Sequence, residues 1–150
     1  MKKIAVVGIG NLGMRHLQSL CDLEKCSLYG VEQNKERMVK MREFFKTKVE
    51  LVETIRNLPQ ELDLAVIATN SNVRKDVLFE LINRVRVKNI IFEKVLFQKI
   101  EHYDEVKKVL TQKQINSWVN CARREWPSYI KLKDFLGTDE PLVFSVKGGE

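Results

Sequence analysis

Residues 4–13 read Ile4-Ala5-Val6-Val7-Gly8-Ile9-Gly10-Asn11-Leu12-Gly13, an apolar run that enters a glycine-rich turn with no spacer between them. A short continuous apolar run is the pattern of a strand buried on both faces of a parallel sheet. From Asn11 to about Leu23, the apolar positions Leu12, Leu17, Leu20 and Leu23 fall at helical spacing, and Asn11 is placed to cap the helix start. The local order is therefore strand, tight turn, helix.

The same rhythm continues outward. Ser27–Val31 reads as a second strand ending in Glu32. Lys35–Lys46 reads as a second helix with Met38, Met41, Phe44 and Phe45 inward. Val49–Val52 forms a short third strand, and Thr54–Leu58 a helical turn stopped by Pro59. Leu64-Ala65-Val66-Ile67-Ala68 is a fourth strand, followed by a helix carrying Val73, Val77, Leu78, Leu81 and Ile82. Asn89–Phe92 is a fifth, followed by a helix with Tyr103, Val106, Val109 and Leu110. Ser117–Asn120 is a sixth, with a helix from Pro127 to Phe135. Parallel neighbours need crossover helices, and such crossovers cover both faces of the sheet. The expectation is an α/β protein built on a doubly wound parallel sheet of about six strands, a Rossmann fold, spanning 1–140. Leu142–Lys147 reads as one further strand, so residues 141–150 are expected to begin a second, C-terminal domain that is cut away.

Composition narrows the function classes. At 150 residues the chain can bury a core without disulfides or structural metal. With 44% hydrophobic and 31% charged residues and no apolar run near ~20 residues, it reads as a soluble, cytoplasmic protein with no membrane span. Met1-Lys2-Lys3-Ile4 enters a strand at once, with neither a long apolar stretch nor a small-residue cleavage site, so no signal peptide is expected. Cys21, Cys26 and Cys121 lack metal or redox spacing, and with His16 and His102 as the only histidines no metal site is expected. The net charge of +6 is spread among interleaved acids, so it fits an anionic small ligand and gives no nucleic-acid footprint.

Each glycine of the turn has a separate task. Gly8 permits the tight turn, Gly10 lets the backbone approach a pyrophosphate, and Gly13 allows the helix to pack close to the strand. The N–H groups of the helix start, at Asn11 and Leu12, then face that pyrophosphate. Glu32 follows Gly13 by nineteen residues, near the ~20-residue offset at which an acid reaches the adenosine ribose. Its carboxylate would repel a 2′-phosphate, so the expected cofactor is NAD rather than NADP, with Lys35 and Arg37 the residues that could favour NADP.

Several segments together resemble the N-terminal domain of the glucose-fructose oxidoreductase / inositol dehydrogenase / MocA (Gfo/Idh/MocA) family, over nearly the whole chain. Gly8 to His16 is similar to its GxGxxGxxH opening, and Val66-Ile67-Ala68-Thr69-Asn70 resembles its fourth strand and the turn beside the cofactor. Glu93-Lys94 matches the first two residues of its Glu-Lys-Pro motif. Val119-Asn120 with Arg123-Arg124 resembles its sixth strand and following turn. The resemblance implies Lys94 as the catalytic residue at the cofactor–substrate boundary, with Glu93 near the nicotinamide ribose or paired with Lys94. Thr69 and Asn70, with Asn72, are implied cofactor contacts. His16 reads equally as an ordinary helix residue. Three departures stand out: Val95 replaces the proline, Asn70 and Arg74 stand where the family has Pro and His, and a substrate domain has no counterpart here.

The function implied is the cofactor-binding part of an NAD-dependent dehydrogenase. It would act on a sugar, cyclitol or nucleotide-sugar alcohol, homo-oligomeric at full length and nearly inactive in these 150 residues. The alternatives are a non-catalytic NAD-binding sensor or regulatory module, and an S-adenosylmethionine-dependent methyltransferase.

Overall fold

The computed structural model describes residues 1–136, which divide after Asn120 into two compact units. The first holds β1 (Lys2–Val7), α1 (Asn11–Leu20), β2 (Cys26–Val31), α2 (Lys35–Phe45) and β3 (Val49–Val52). A 3-10 turn (Ile55–Asn57) leads to β4 (Glu61–Leu62), β5 (Leu64–Ile67), α3 (Arg74–Arg84), β6 (Arg86–Val87), β7 (Asn89–Phe92), α4 (Glu101–Gln112) and β8 (Asn116–Val119). The second unit holds a 3-10 turn (Ala122–Glu125) and α5 (Pro127–Leu136), with the Arg123 guanidinium over the Trp126 ring. The strand expected at Leu142–Lys147, and with it the start of a second domain at 141–150, lies outside the described residues.

Six strands form one parallel sheet in the order β3-β2-β1-β5-β7-β8. The chain winds from β1 to one edge, then returns to the other side of β1 and winds to the opposite edge. Two parallel pairs not legible in the sequence, Glu61–Leu62 against Arg86–Val87, make a separate two-stranded ribbon.

Strand alternation sends the core to both faces. Ile4, Val6 and Val66 point to the side where Leu17 of α1 and Met41 and Phe45 of α2 pack. Ala5, Val7, Ala65 and Ile67 point to the side of Leu78 and Leu81 on α3 and Val106 and Leu110 on α4. Phe44, expected inward on α2, is exposed. Met38, Met41 and Phe45 are spaced by three and four residues and fill the inward stripe, which leaves Phe44 beside it. Leu23 likewise lies past the end of α1 and is exposed.

Ladder hydrogen bonds run one residue beyond each strand. Gly8 N–H donates to Val31 O, Glu32 to Val52 O, Ala68 to Val7 O, Glu93 to Ile67 O and Asn120 to Phe92 O. Five residues from five segments are thereby lined up along the C-terminal edge of the sheet. This is the edge at which open α/β sheets bind ligands, beside the point where the winding direction reverses. Among the described residues no helix is long and apolar enough to cross a membrane.

Candidate functional site

The glycine turn crosses this edge between β1 and α1. Gly8 has φ of +87°, and a Cβ there would meet Thr69 Cγ2 at 2.6 Å. A Cβ on Gly13 would meet Gly8 O at 2.2 Å. Both positions are therefore glycine for reasons internal to the fold. Gly10 differs: its φ of −76° is open to any residue, and a Cβ would meet nothing within 4 Å. The protein itself gives no reason for glycine at 10. The space beside it is room for something from outside.

Asn11 was expected to cap α1, but it is the first helical residue. Gly10 occupies the cap position, no side chain caps the turn, and no acid lies in it. The initial N–H groups of α1 thus have no intrahelical acceptor and favour an anion. By contrast, Asn34 Oδ1 accepts from Arg37 N at 2.9 Å and closes the start of α2. Leu12 is 45% exposed on the uncapped turn, on the wall of the smaller of two adjoining clefts.

A cleft of about 680 Å3 opens beside Gly10, walled by the ends of β1, β2 and β5 and the start of α3. Glu32 stands on its β2 wall, buried, with Oε1 accepting Asn34 N–H at 2.9 Å and Oε2 held by Arg37 Nη1 at 3.0 Å. A second cleft of about 420 Å3 adjoins it through Ala68, Thr69 and Asn70 and carries Leu12, Glu93 and Lys94 on its walls. Thr69 Oγ1, at the boundary, is the one buried side-chain polar atom among the described residues with no hydrogen-bond partner. Each of the two clefts has the volume of an ordinary ligand pocket.

Glu93 anchors the far end. Its Oε1 accepts from His16 Nε2 at 2.6 Å and from Asn120 Nδ2 at 2.7 Å. Burial pushes the carboxyl pKa up, but the hydrogen bonds from Asn120 and His16, the electrostatic interaction with His16 and the Lys94 N–H outweigh it, so the pKa lies below the ordinary 4.5. Lys94 itself is exposed on the rim of the smaller cleft, and the Lys94–Val95 peptide is cis. Neither His16 nor Asn120 was singled out for this contact. His16 closes the GxGxxGxxH resemblance and Asn120 ends the expected sixth strand, but neither place in the sequence points to Glu93.

A group held ionised in the fold stabilises it above its unfolded pKa and loses that contribution as pH falls through the folded value. Glu93→Gln is therefore expected to cost about 1–2 kcal/mol near pH 7, with the gap to the parent closing below about pH 4. Urea midpoints measured across that range check it. A gap that persists unchanged at about pH 3 contradicts the assignment.

Arg74 is almost wholly buried, at 3% exposure. Nε and Nη2 donate to Thr69 O, and Nη1 donates to the carbonyls of Glu93, Val95 and Leu96. Burial lowers its pKa, opposed by the Glu93 carboxylate. No group of three or more His, Cys, Asp or Glu side chains among the described residues could hold a metal, and the cysteines are free.

The model of the GFO_IDH_MocA oxidoreductase family, NAD-binding Rossmann fold, matches residues 2–121. Among solved structures, scyllo-inositol dehydrogenase from Lactobacillus casei, with bound NAD(H) and scyllo-inositol, superposes with TM-score 0.76 at 20% identity, covering 91% of this chain and 41% of that one. UDP-N-acetylglucosamine 3-dehydrogenase GnnA from Acidithiobacillus ferrooxidans gives 0.74 at 18% identity, over 89% and 41%. The super-repressor mutant of Gal80p from Saccharomyces cerevisiae gives 0.77 at 14%, over 89% and 38%. At these identities the likeness is one of fold, and the chain spans about two fifths of each neighbour's length. No curated protein matches at a significant level.

Proposed function

Because the chain belongs to the Gfo/Idh/MocA oxidoreductase family through its NAD-binding Rossmann fold, we propose that it is the cofactor-holding part of an NAD-dependent dehydrogenase acting on a sugar, cyclitol or nucleotide-sugar alcohol. The observation that carries this reading is the empty space at Gly10, a glycine the fold does not need, beside an uncapped helix start. A pyrophosphate placed there is met by the N–H groups of Asn11 and Leu12. Glu32 accepts from the adenosine ribose hydroxyls with the lone pairs that Asn34 and Arg37 leave free, and its charge favours NAD over NADP.

Thr69 and Asn70 lie between the clefts, where Thr69 Oγ1 can give its unused hydrogen bond to the nicotinamide end. A bound nicotinamide dinucleotide supplies hydride transfer at the nicotinamide C4. Lys94, on the rim of the same cleft, takes the hydroxyl proton of an alcohol substrate as its carbon is oxidised, or returns it in reduction. Glu93, fixed by His16 and Asn120, holds the start of the Lys94 segment at the end of β7. Activity of the whole protein on such an alcohol is part of this proposal, since the described site supplies one wall of a substrate pocket.

A second reading, a non-catalytic NAD-binding regulatory module, is supported by Arg74 and Val95 at positions where the catalytic pattern differs. Calorimetric titration of the chain with NADH, NADPH and S-adenosylmethionine tests the common premise. NADH is expected to bind most tightly, and S-adenosylmethionine not at all. Absence of NADH binding up to millimolar concentration would remove both readings.

A further inference from the structure

Arg74 is the first residue of α3, where the positive end of the helix dipole disfavours a cation. It is also buried, and none of its hydrogen bonds goes to a carboxylate. Burying a guanidinium is costly unless its donors are met, and a chain needing only to fill this space would do so with an apolar side chain. The return is geometric. The planar fork reaches two segments at once, Thr69 after β5 and Glu93 to Leu96 after β7, and takes up carbonyls that a turning backbone would otherwise leave unpaired. Both segments border the smaller cleft, and Lys94 lies inside the second.

We propose that Arg74 is a positioning residue for the nicotinamide end of the site, clamping the Glu93–Leu96 segment to Thr69 so that Lys94 and Thr69 keep a fixed separation across the cleft. The inference rests on the dinucleotide reading above and deepens it. The glycine turn and Glu32 hold the adenosine and pyrophosphate half of the cofactor. Arg74 acts on the other half alone, through main-chain carbonyls, with no contact of its own to the adenosine side.

ADP-ribose is NADH without the nicotinamide ring, so the pair separates an effect at that end of the site from a general loss of fold. In the 150-residue chain, Arg74→Met is expected to bind ADP-ribose within about threefold of the parent while NADH affinity falls about tenfold. Arg74→Lys, which keeps the charge but offers its donors from a single point, should recover only part of the loss. Equal losses for the two ligands, or loss of both in Met and Lys variants alike, overturn the proposal and leave Arg74 a scaffold residue. Unchanged NADH binding in Arg74→Met overturns it as well. A parent chain that binds neither ligand removes the dinucleotide reading itself, an outcome distinct from these.

Discussion

Gly13→Ala is expected to lower the thermal midpoint by roughly 10 °C, a loss of about 3 kcal/mol. The added methyl would sit 2.2 Å from Gly8 O and 3.1 Å from Gly8 C, both backbone atoms. A flexible side chain could swing aside, but these atoms cannot. Gly8 N–H is bonded to Val31 O, and its φ of +87° is already one that few residues adopt. Relief must come from lifting α1 off the sheet, which uncovers Leu17, fully buried against Val6, Ile9 and their neighbours. Melts followed by circular dichroism measure the shift. A drop of less than about 3 °C would show that the helix moves at little cost.

Gly10→Val should do the reverse. Its backbone is extended and its surroundings are open, so the fold of the free protein should lose no more than about 1 kcal/mol, the scale of a poorer helix cap. NADH affinity, by contrast, should fall about a hundredfold, because the branched side chain fills the approach to the uncapped amides. The two variants, three residues apart in one motif, thus separate what glycine does for the fold from what it does for the ligand. A valine variant that binds NADH as the parent does would place the pyrophosphate elsewhere.

The fold's need for glycine at 8 and 13 was legible in the sequence because strand, turn and helix follow in succession, all within ten residues. The inner strands β1 and β5 were legible for a related reason: burial on both faces makes the core of each a continuous apolar run, whereas the edge strand β8 is exposed at all four residues. What the sequence hid depends on registration between distant segments. His16 meets Glu93 across 77 positions, and Arg74 reaches Leu96 across 22. Asn120 comes beside Glu93 only because β8 pairs with β7 in a register that carries one residue past the strands. Arg74 was visible as a departure from a family pattern, but its partners are main-chain carbonyls, which no side-chain spacing reveals. Asn11 was misread for the opposite reason. Its residue type suits a cap, yet the turn begins one residue earlier, and the amides stay free. The β4–β6 ribbon escaped notice because two-residue strands carry no period.

The sheet order also has a consequence for how the protein is made. Of the six strands of the sheet β1 is synthesised first, yet it ends in the middle of the sheet, with Ile4 opposite Leu28 on one side and Leu64 on the other. Its second neighbour is translated about sixty residues later, a wait of roughly 3–12 s at ordinary synthesis rates. Through that interval an apolar strand with one open flank is held only by β2 and the first helices. That segment is sheathed only once Ala65–Ile67 has emerged and the halves on either side of β1 have met.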